Sequence, residues 1–384
     1  MKVPFPRALA SAVAVLALAV ASTSVTRPAS AQVTSQSEAT VLGARWLAAQ
    51  LTPEGYVEGL FSPGPDPDAT RDVAFTLAAT GLEEDAFALA LSWLTANIEE
   101  VIAPESEPDG PGTLGVLIMI AVATGEDPTN FGGVNLITRL NGTLGLLEPG
   151  LFGASDPTFD GVLRQSLALL GLDAAGASAN PAAITWLEDQ QCVAGESAPE
   201  SLGGFPAYRN PAVPCPAPDV MNYAGAETDA TAVALQWLVR NQGSSAPRTL
   251  QALEFLGTIQ SATGGFPWYA GDVDSTNSTA LAIGGLLAVG GQDGAAQAAI
   301  AWLEDQQLGC DSPDAGAFTS SYSDGAADQF ATRQAVLGVA GVTVPLGLTA
   351  WSSTSDPCAP PGPGPEPSPS PAPIVAPVAP KFTG

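Results

Sequence analysis

The chain has 384 residues, of which 39 are acidic, 12 are basic and none is histidine, and its formal charge is −27. Without imidazole, the sequence excludes a Ser-His-Asp triad, a Cys-His pair and any zinc or haem site that needs a histidine ligand. A chain this acidic repels phosphate backbones, which argues against a nucleic-acid partner. A hydrophobic fraction of 46% with 13% charged residues predicts a folded core.

The first 31 residues are typical of a signal peptide. Lys2 and Arg7 precede an apolar run over 8–21, and an A-x-A cleavage site ends at Ala31, with a cut after Ala21 as the alternative. The run is shorter than the roughly 20 residues that span a bilayer. We therefore predict export to the cell envelope or the extracellular space, with no transmembrane anchor after cleavage. Removing three of the 12 basic residues leaves 9 against 39 acidic ones, a charge of −30.

An internal repeat runs through residues 38–358. Aromatic or aliphatic residues, often followed by Leu, recur at intervals of 47, 47, 46, 69 and 47 residues, at Trp46, Trp93, Leu140, Trp186, Phe255 and Trp302. One shared period, with an insertion of about 22 residues in the fourth interval, indicates a repeat protein. Charged residues are mixed with the apolar ones, so these segments are predicted to be amphipathic outer helices.

A second series of helices alternates with the first. Segments of small and aliphatic residues predict helices near 71–81, 113–124, 160–171, 228–240, 277–289 and 329–340. Glycines at positions 81, 125, 171, 290 and 341 are typical of helix ends. The segments are apolar nearly all round, which predicts burial on both sides. Six inner and six outer helices predict an all-α fold, a single α6/α6 toroid.

The four cysteines are Cys192, Cys215, Cys310 and Cys358. Export would place them in an oxidising compartment, where three pairings are open. We favour Cys192 with Cys215 and Cys310 with Cys358, because each bond then closes one irregular segment, the first being the insertion near 192–215. A tetrathiolate metal site is the alternative, although no C-x-x-C spacing occurs.

The composition changes abruptly after Cys358. Residues 359–384 hold 10 of the 35 prolines, which predicts a disordered, polyproline-like tail. The predicted organisation is therefore a signal peptide (1–31), a toroid (38–358) and a Pro-rich tail (359–384). A spacer through the cell envelope is one hypothesis for the tail.

The repeat resembles that of the prenyltransferase and squalene-cyclase family, in which an aromatic and a hydrophobic residue precede Gln, Gly and a final aromatic. The segment 255–266 matches this signature in spacing through Phe255, Gln260, Gly264 and Phe266, and partial matches begin at Trp46, Trp186 and Trp302. The resemblance covers about residues 38–350 and implies a terpenoid cyclase-like α/α toroid. Many activities share this scaffold, so it implies a fold and leaves the function open. We interpret the motif as structural, with Gln capping backbone groups and Gly permitting a tight turn.

We expect function at the rim where the segments leading into the inner helices converge, because aromatic and acidic residues alternate there. The candidate ligand-binding residues are Tyr223, Trp268, Tyr269, Asp272 and Tyr322. The acids also have a purely structural interpretation, since carboxylates favour helix N-termini without any ligand.

Class II terpene cyclases, which share this fold, protonate an alkene or epoxide with an Asp in the motif D-x-D-D-T-A. The segment 227–232 resembles it, with Glu227 at the first acid, Asp229 at the middle acid and Ala230 at the third. A rival match at 272–276 contains Asp274 but has the wrong helix register. The resemblance implies Asp229, Glu227 and Asp274 as candidate catalytic residues, although neither segment has all three carboxylates.

We interpret the chain as a non-catalytic binder of an apolar or amphipathic ligand, a cell-envelope component or a protein partner. The alternative is a class II terpene cyclase-like or other carboxylate-based enzyme. No cofactor or metal site is predicted, except that calcium is a candidate for the acidic loops 272–277 and 311–314, because it prefers oxygen ligands. An enzyme should bring three carboxylates together in a closed cavity, whereas a binder can have them on an open rim.

Overall fold

The computed structural model describes residues 37–60, 62–104, 107–195 and 197–359. In chain order the elements are α1 (Glu38–Ala48), β1 (Val57–Glu58), β2 (Pro65–Asp66), α2 (Pro67–Thr80), α3 (Glu84–Ala96), α4 (Ile98–Ile102), α5 (Pro111–Thr124), α6 (Leu136–Gly142), α7 (Gly161–Ala174), α8 (Pro181–Asp189), α9 (Thr228–Gln242), α10 (Pro247–Ile259), α11 (Thr276–Val289), α12 (Asp293–Glu304) and α13 (Gln329–Val339). The predicted signal peptide and all but the first residue of the predicted tail lie outside the described residues. Within those residues, every helix is too short or too polar to cross a membrane.

The helices form two rings, one inside the other. In the inner ring α2, α5, α7, α9, α11 and α13 pack in that order, and α13 packs against α2 to close it. The outer helices α1, α3, α6, α8, α10 and α12 each pack on an inner helix. The inner helices are more buried than the outer ones, as predicted. The inner helix α5 is buried at ten of its 14 residues, and the outer helix α12 at three of its 12. The predicted all-α, α6/α6 toroid is confirmed.

Small residues let the inner helices approach closely. A Cβ added to Gly171 on α7 would lie 2.7 Å from the Cα of Gly115 on α5, so the two backbones are in contact there. The sequence prediction that Gly171 ends its helix is wrong, because α7 continues to Ala174. Gly81 and Gly125 do end their helices in the left-handed conformation, as predicted.

The repeat motif joins neighbouring outer helices. The side-chain amide of its Gln donates to the carbonyl of the turn glycine and to a carbonyl in the first turn of the next outer helix, in the sets Gln191 with Gly203 and Arg248, Gln260 with Gly264 and Ala295, and Gln307 with Gly316 and Ala39. The last set joins the sixth repeat to α1. The motif therefore closes the outer ring as well as linking its members.

The motif glycine is required for two separate reasons. Gly264 has a φ of 99°, and a Cβ on it would lie 2.4 Å from the carbonyl oxygen of Ala298 on α12. Gly316 repeats both features, with a Cβ position 2.3 Å from the carbonyl oxygen of Leu42 on α1. A side chain would be strained by the left-handed backbone and would overlap the next helix.

Two disulfides, Cys192–Cys215 and Cys310–Cys358, are present in the structure and have the pairing that we favoured from sequence. The first closes the insertion between α8 and α9. The second ties the segment after α13 to the loop between α12 and α13. The Cys192 and Cys215 side chains are buried, so the insertion contributes to the core and is anchored to it.

Candidate functional site

The segments leading into the inner helices lie at one face of the toroid. The N-terminal turns of α2, α5, α7 and α13 line one cavity there. On the other side of the ring, Asn277 in the first turn of α11 donates to Gln334 on α13. The rim that the sequence analysis selected therefore includes the N-termini of α2, α5, α7, α11 and α13.

Glu227 caps the N-terminus of α9. Its Oε2 accepts from the backbone N–H of Asp229 at 2.6 Å, and its Oε1 accepts from that of Ala230 at 2.7 Å. The side chain is buried, and burial and the nearby charge of Asp229 raise its pKa well above the usual value, although the two backbone N–H groups oppose this. Glu227 therefore has the structural role expected of a carboxylate at the rim, that of a helix cap. Its carboxyl group is strongly desolvated.

Asp229 lies next to this cap. Burial raises its pKa to about 6, while a hydrogen-bonding contact with Ser278 of α11 acts in the opposite direction. Its Oδ1 is buried and has no hydrogen-bond partner. We call Glu227 and Asp229 the α9 acid pair. It contains two carboxyl groups and not three, because Ala230 occupies the position of the third acid.

A row of aromatic rings connects the surface to the α9 acid pair. Phe159 packs edge-on against Tyr223 at 4.9 Å, Tyr223 lies 5.8 Å from Trp268, and Trp268 lies 5.0 Å from Tyr269, measured between ring centroids. Phe159 is 65% exposed, whereas Tyr269 is buried and its hydroxyl has no partner. Burial, followed by the charges of Glu227 and Asp229, raises the pKa of Tyr269.

The structure brings Tyr223, Trp268 and Tyr269 together with the acid pair, and it places the other predicted site residues elsewhere. Asp274 accepts hydrogen bonds from Ser261 and Thr263 in the turn after α10. The Asp274 carboxylate therefore stabilises the turn after α10.

Asp272 and Tyr322 lie in different parts of the rim. Asp272 and Tyr269 line an open groove of about 560 Å³ between the segments 216–224 and 269–272. Tyr322 is 77% exposed in the loop before α13. The candidate residues therefore belong to at least two distinct surfaces.

The acidic loops do not assemble a recognisable metal site. Asp272 accepts from the backbone of Val273, and Asn277 is bonded to Gln334. Among the described residues, no three His, Cys, Asp or Glu side chains are grouped so that they could hold a metal ion. Calcium in the loops 272–277 and 311–314 stays a prediction from sequence.

A cavity of about 490 Å³ opens between the N-terminal ends of α2, α5, α7 and α13, and we call it the rim cavity. Its apolar lining includes Val116, Leu163, Leu167 and Phe330, and its charged lining includes Asp68, Arg71, Asp72, Asp160, Arg164 and Arg333. The volume is within the range of about 300–1,000 Å³ that is usual for small-molecule sites. The sequence analysis named the rim but did not identify Arg164 or Arg333.

Solved structures share this fold. The chain is similar to a crystal structure of a protein from Actinoplanes, with a TM-score of 0.54, 17% identity, and coverage of 79% of this chain and 98% of that one. It is also similar to the type II terpene cyclase MstE from Scytonema, as the apo form (TM-score 0.54, 16% identity, coverage 79% and 96%) and in complex with geranylgeranyl dihydroxybenzoate (TM-score 0.55, 15% identity, coverage 79% and 96%). No family model and no curated protein matches the sequence. At these identities the likeness concerns the fold, and the chain has the terpene cyclase-like α/α toroid.

Proposed function

We propose that the protein binds an amphipathic ligand in the rim cavity and does not transform it. The observation that carries this proposal is the lining of the cavity, where Val116, Leu163 and Leu167 offer apolar surface beside charged groups. A ligand with an apolar part and a polar head would match both. The cavity is open to solvent, as a binding site on a rim would be.

The proposal is tested by filling the cavity. Leu167→Trp places an indole in the lining, and Leu250→Trp makes the same change on the exposed outer surface of α10, where Leu250 is 48% exposed. Native mass spectrometry of each protein, purified after export, would measure any small molecule that copurifies. We expect a bound amphipathic molecule in the wild type and in Leu250→Trp, and its loss in Leu167→Trp. Equal retention by both variants would place the ligand outside the rim cavity.

Acid catalysis at the α9 acid pair is a second candidate. It is favoured by the burial of Asp229 and by its pKa of about 6, since a general acid must hold its proton until it meets the substrate. Incubation with geranylgeranyl-bearing substrates would test it. A cyclised product that is lost in Asp229→Asn and kept in Asp274→Asn would support catalysis, and the absence of product from the wild type would oppose it.

We also propose that the chain acts outside the cytoplasm. Two disulfides, one of them buried, are compatible with an oxidising compartment. N-terminal sequencing of protein recovered from the culture medium or cell envelope should begin at Gln32, or at Ser22 if the earlier cut is used. An N-terminus at residue 1 would contradict the proposed export.

A further inference from the structure

Three arginines are buried around the rim cavity. The Arg71, Arg164 and Arg333 side chains are 13%, 5% and 8% exposed and come from α2, α7 and α13. The whole chain has only 12 basic residues against 39 acidic ones. Burying a guanidinium is unfavourable unless its N–H groups find acceptors, so the partners of these three side chains are informative.

The arginines differ in how well their donors are used. Arg71 donates to Asp68, Asp72 and Thr113, which occupies all of its terminal nitrogens. Arg164 donates through one terminal nitrogen to the carbonyl of Ser155 at 2.8 Å, and the other is 3.4 Å from Asp160. The Nε of Arg164 is buried and has no partner. That nitrogen is sealed from solvent, so the donor that Arg164 can offer to a ligand is the terminal nitrogen beside Asp160, whose 3.4 Å separation is longer than a normal hydrogen bond.

Arg333 uses its Nε, which donates to the backbone carbonyl of Gln329 at 3.2 Å. Its nearest carboxylate oxygen, on Asp72, is 3.7 Å away, and Asp72 is already the acceptor of two hydrogen bonds from Arg71. The guanidinium lies 5.4 Å from the ring centroid of Phe330, which leaves its edge available for hydrogen bonding.

The carboxylates of the cavity are, by contrast, mostly engaged. Asp68 and Asp72 are paired with Arg71, and Asp156 accepts from the backbone and hydroxyl of Thr158. Burial raises the pKa of Asp160, and the charge of Arg164 opposes this rise. Four helix N-termini add partial positive charge at the same place. The lining has five aspartates against three arginines, so an anion would be held by the terminal nitrogens of Arg164 and Arg333 and not by the net charge of the cavity.

We propose that Arg164 and Arg333 bind the anionic head of an amphipathic ligand, a carboxylate or a phosphate, whose apolar part lies against Val116, Leu163 and Leu167. This inference rests on the proposed binding function and adds the chemical class of the ligand. The oxyanion supplies acceptors for the terminal nitrogens of the two guanidinium groups that have no close partner, and planar guanidinium groups match such oxyanions in geometry.

Calorimetric titration of the full chain at pH 7.5 with octanoate, octyl phosphate, octan-1-ol and octylamine tests the proposal, because the four probes share a chain length and differ in the head. We expect at least one anion to bind tenfold or more tightly than octan-1-ol, and the ratio of the two anions identifies the preferred oxyanion. Arg164→Gln and Arg333→Gln should each reduce that preference tenfold or more. Arg240→Gln is the control, since Arg240 pairs with Asp173 near the C-terminal end of α9.

The outcomes separate this inference from the proposed function. Equal binding of octanoate, octyl phosphate and octan-1-ol would overturn the inference and leave amphipathic binding in place. Tighter binding of octylamine would also overturn it, because the cavity carboxylates and not the arginines would then determine which head group binds. If none of the four probes binds, both proposals fail. The affinity of each variant for octan-1-ol reports whether its cavity is still folded, and Arg333→Gln provides the test if Arg164→Gln does not fold.

Discussion

Replacing Asp229 by Asn should flatten the dependence of stability on pH. Burial raises the pKa of Asp229 from 3.8 to about 6, so between these values the folded chain keeps a proton that the unfolded chain has released. The folded state then binds more protons, and the free energy of unfolding falls as the pH rises. At about 1.4 kcal/mol per pH unit between the two pKa values, the carboxyl destabilises the folded chain by about 2.4 kcal/mol at pH 7 relative to pH 4.

Denaturant unfolding at pH 4, 5, 6 and 7 measures this effect. The Asn variant has no proton to lose at this position, so its stability relative to the wild type should increase by about 2.4 kcal/mol from pH 4 to pH 7. Asp311→Asn, in an exposed loop, makes the same change in net charge and serves as the control. Parallel pH profiles for wild type and Asp229→Asn would refute the reasoning, because they would mean that Asp229 is hydrated in the folded chain.

The repeat motif gives two further predictions, both measured by urea unfolding. Gly264→Ala should destabilise the protein by at least about 2 kcal/mol, because the added methyl group meets both a left-handed backbone and the carbonyl of Ala298. Gly257→Ala, in the exposed interior of α10 where a Cβ meets nothing, should instead stabilise it by about 0.5–1 kcal/mol. Gln260→Ala removes one hydrogen bond to the turn of its own repeat and one to the next outer helix, and should cost about 1–2 kcal/mol. Gln306→Ala removes one bond to the last turn of α12 and should cost less than about 0.5 kcal/mol; similar losses at both glutamines would contradict the linking role.

The fold was readable from sequence because the repeat motif encodes contacts between helices. The motif glutamines Gln191, Gln260 and Gln307 each follow their aromatic residue by five positions, since from there the side chain reaches the next outer helix, whereas the glycine follows at a variable distance. Small-residue segments identified the inner ring for the same reason, because only such residues allow close packing. The prediction that α7 ends at Gly171 failed for the same reason. That glycine allows close contact with Gly115 on α5, and the helix continues past it.

The candidate site could be predicted from the sequence only in part. Helix register selected the segment of the α9 acid pair, and the structure places Tyr223, Trp268 and Tyr269 beside it. Arg164 and Arg333 were missed because each is an isolated charge in a helix that otherwise looks apolar. One signal was available, since Arg71, Arg164 and Arg333 each follow an inner-helix N-cap by four or five residues. Residues at the same distance from the N-termini of the inner helices lie at the same level of the ring and can line one cavity.

A crystal structure of the protein with octanoate tests the central claim most directly. The account predicts electron density in the rim cavity, with the carboxylate about 3 Å from nitrogens of Arg164 or Arg333 and the alkyl chain against Val116, Leu163 and Leu167. Density only in the groove between 216–224 and 269–272, or an unchanged rim cavity at saturating octanoate, would contradict it.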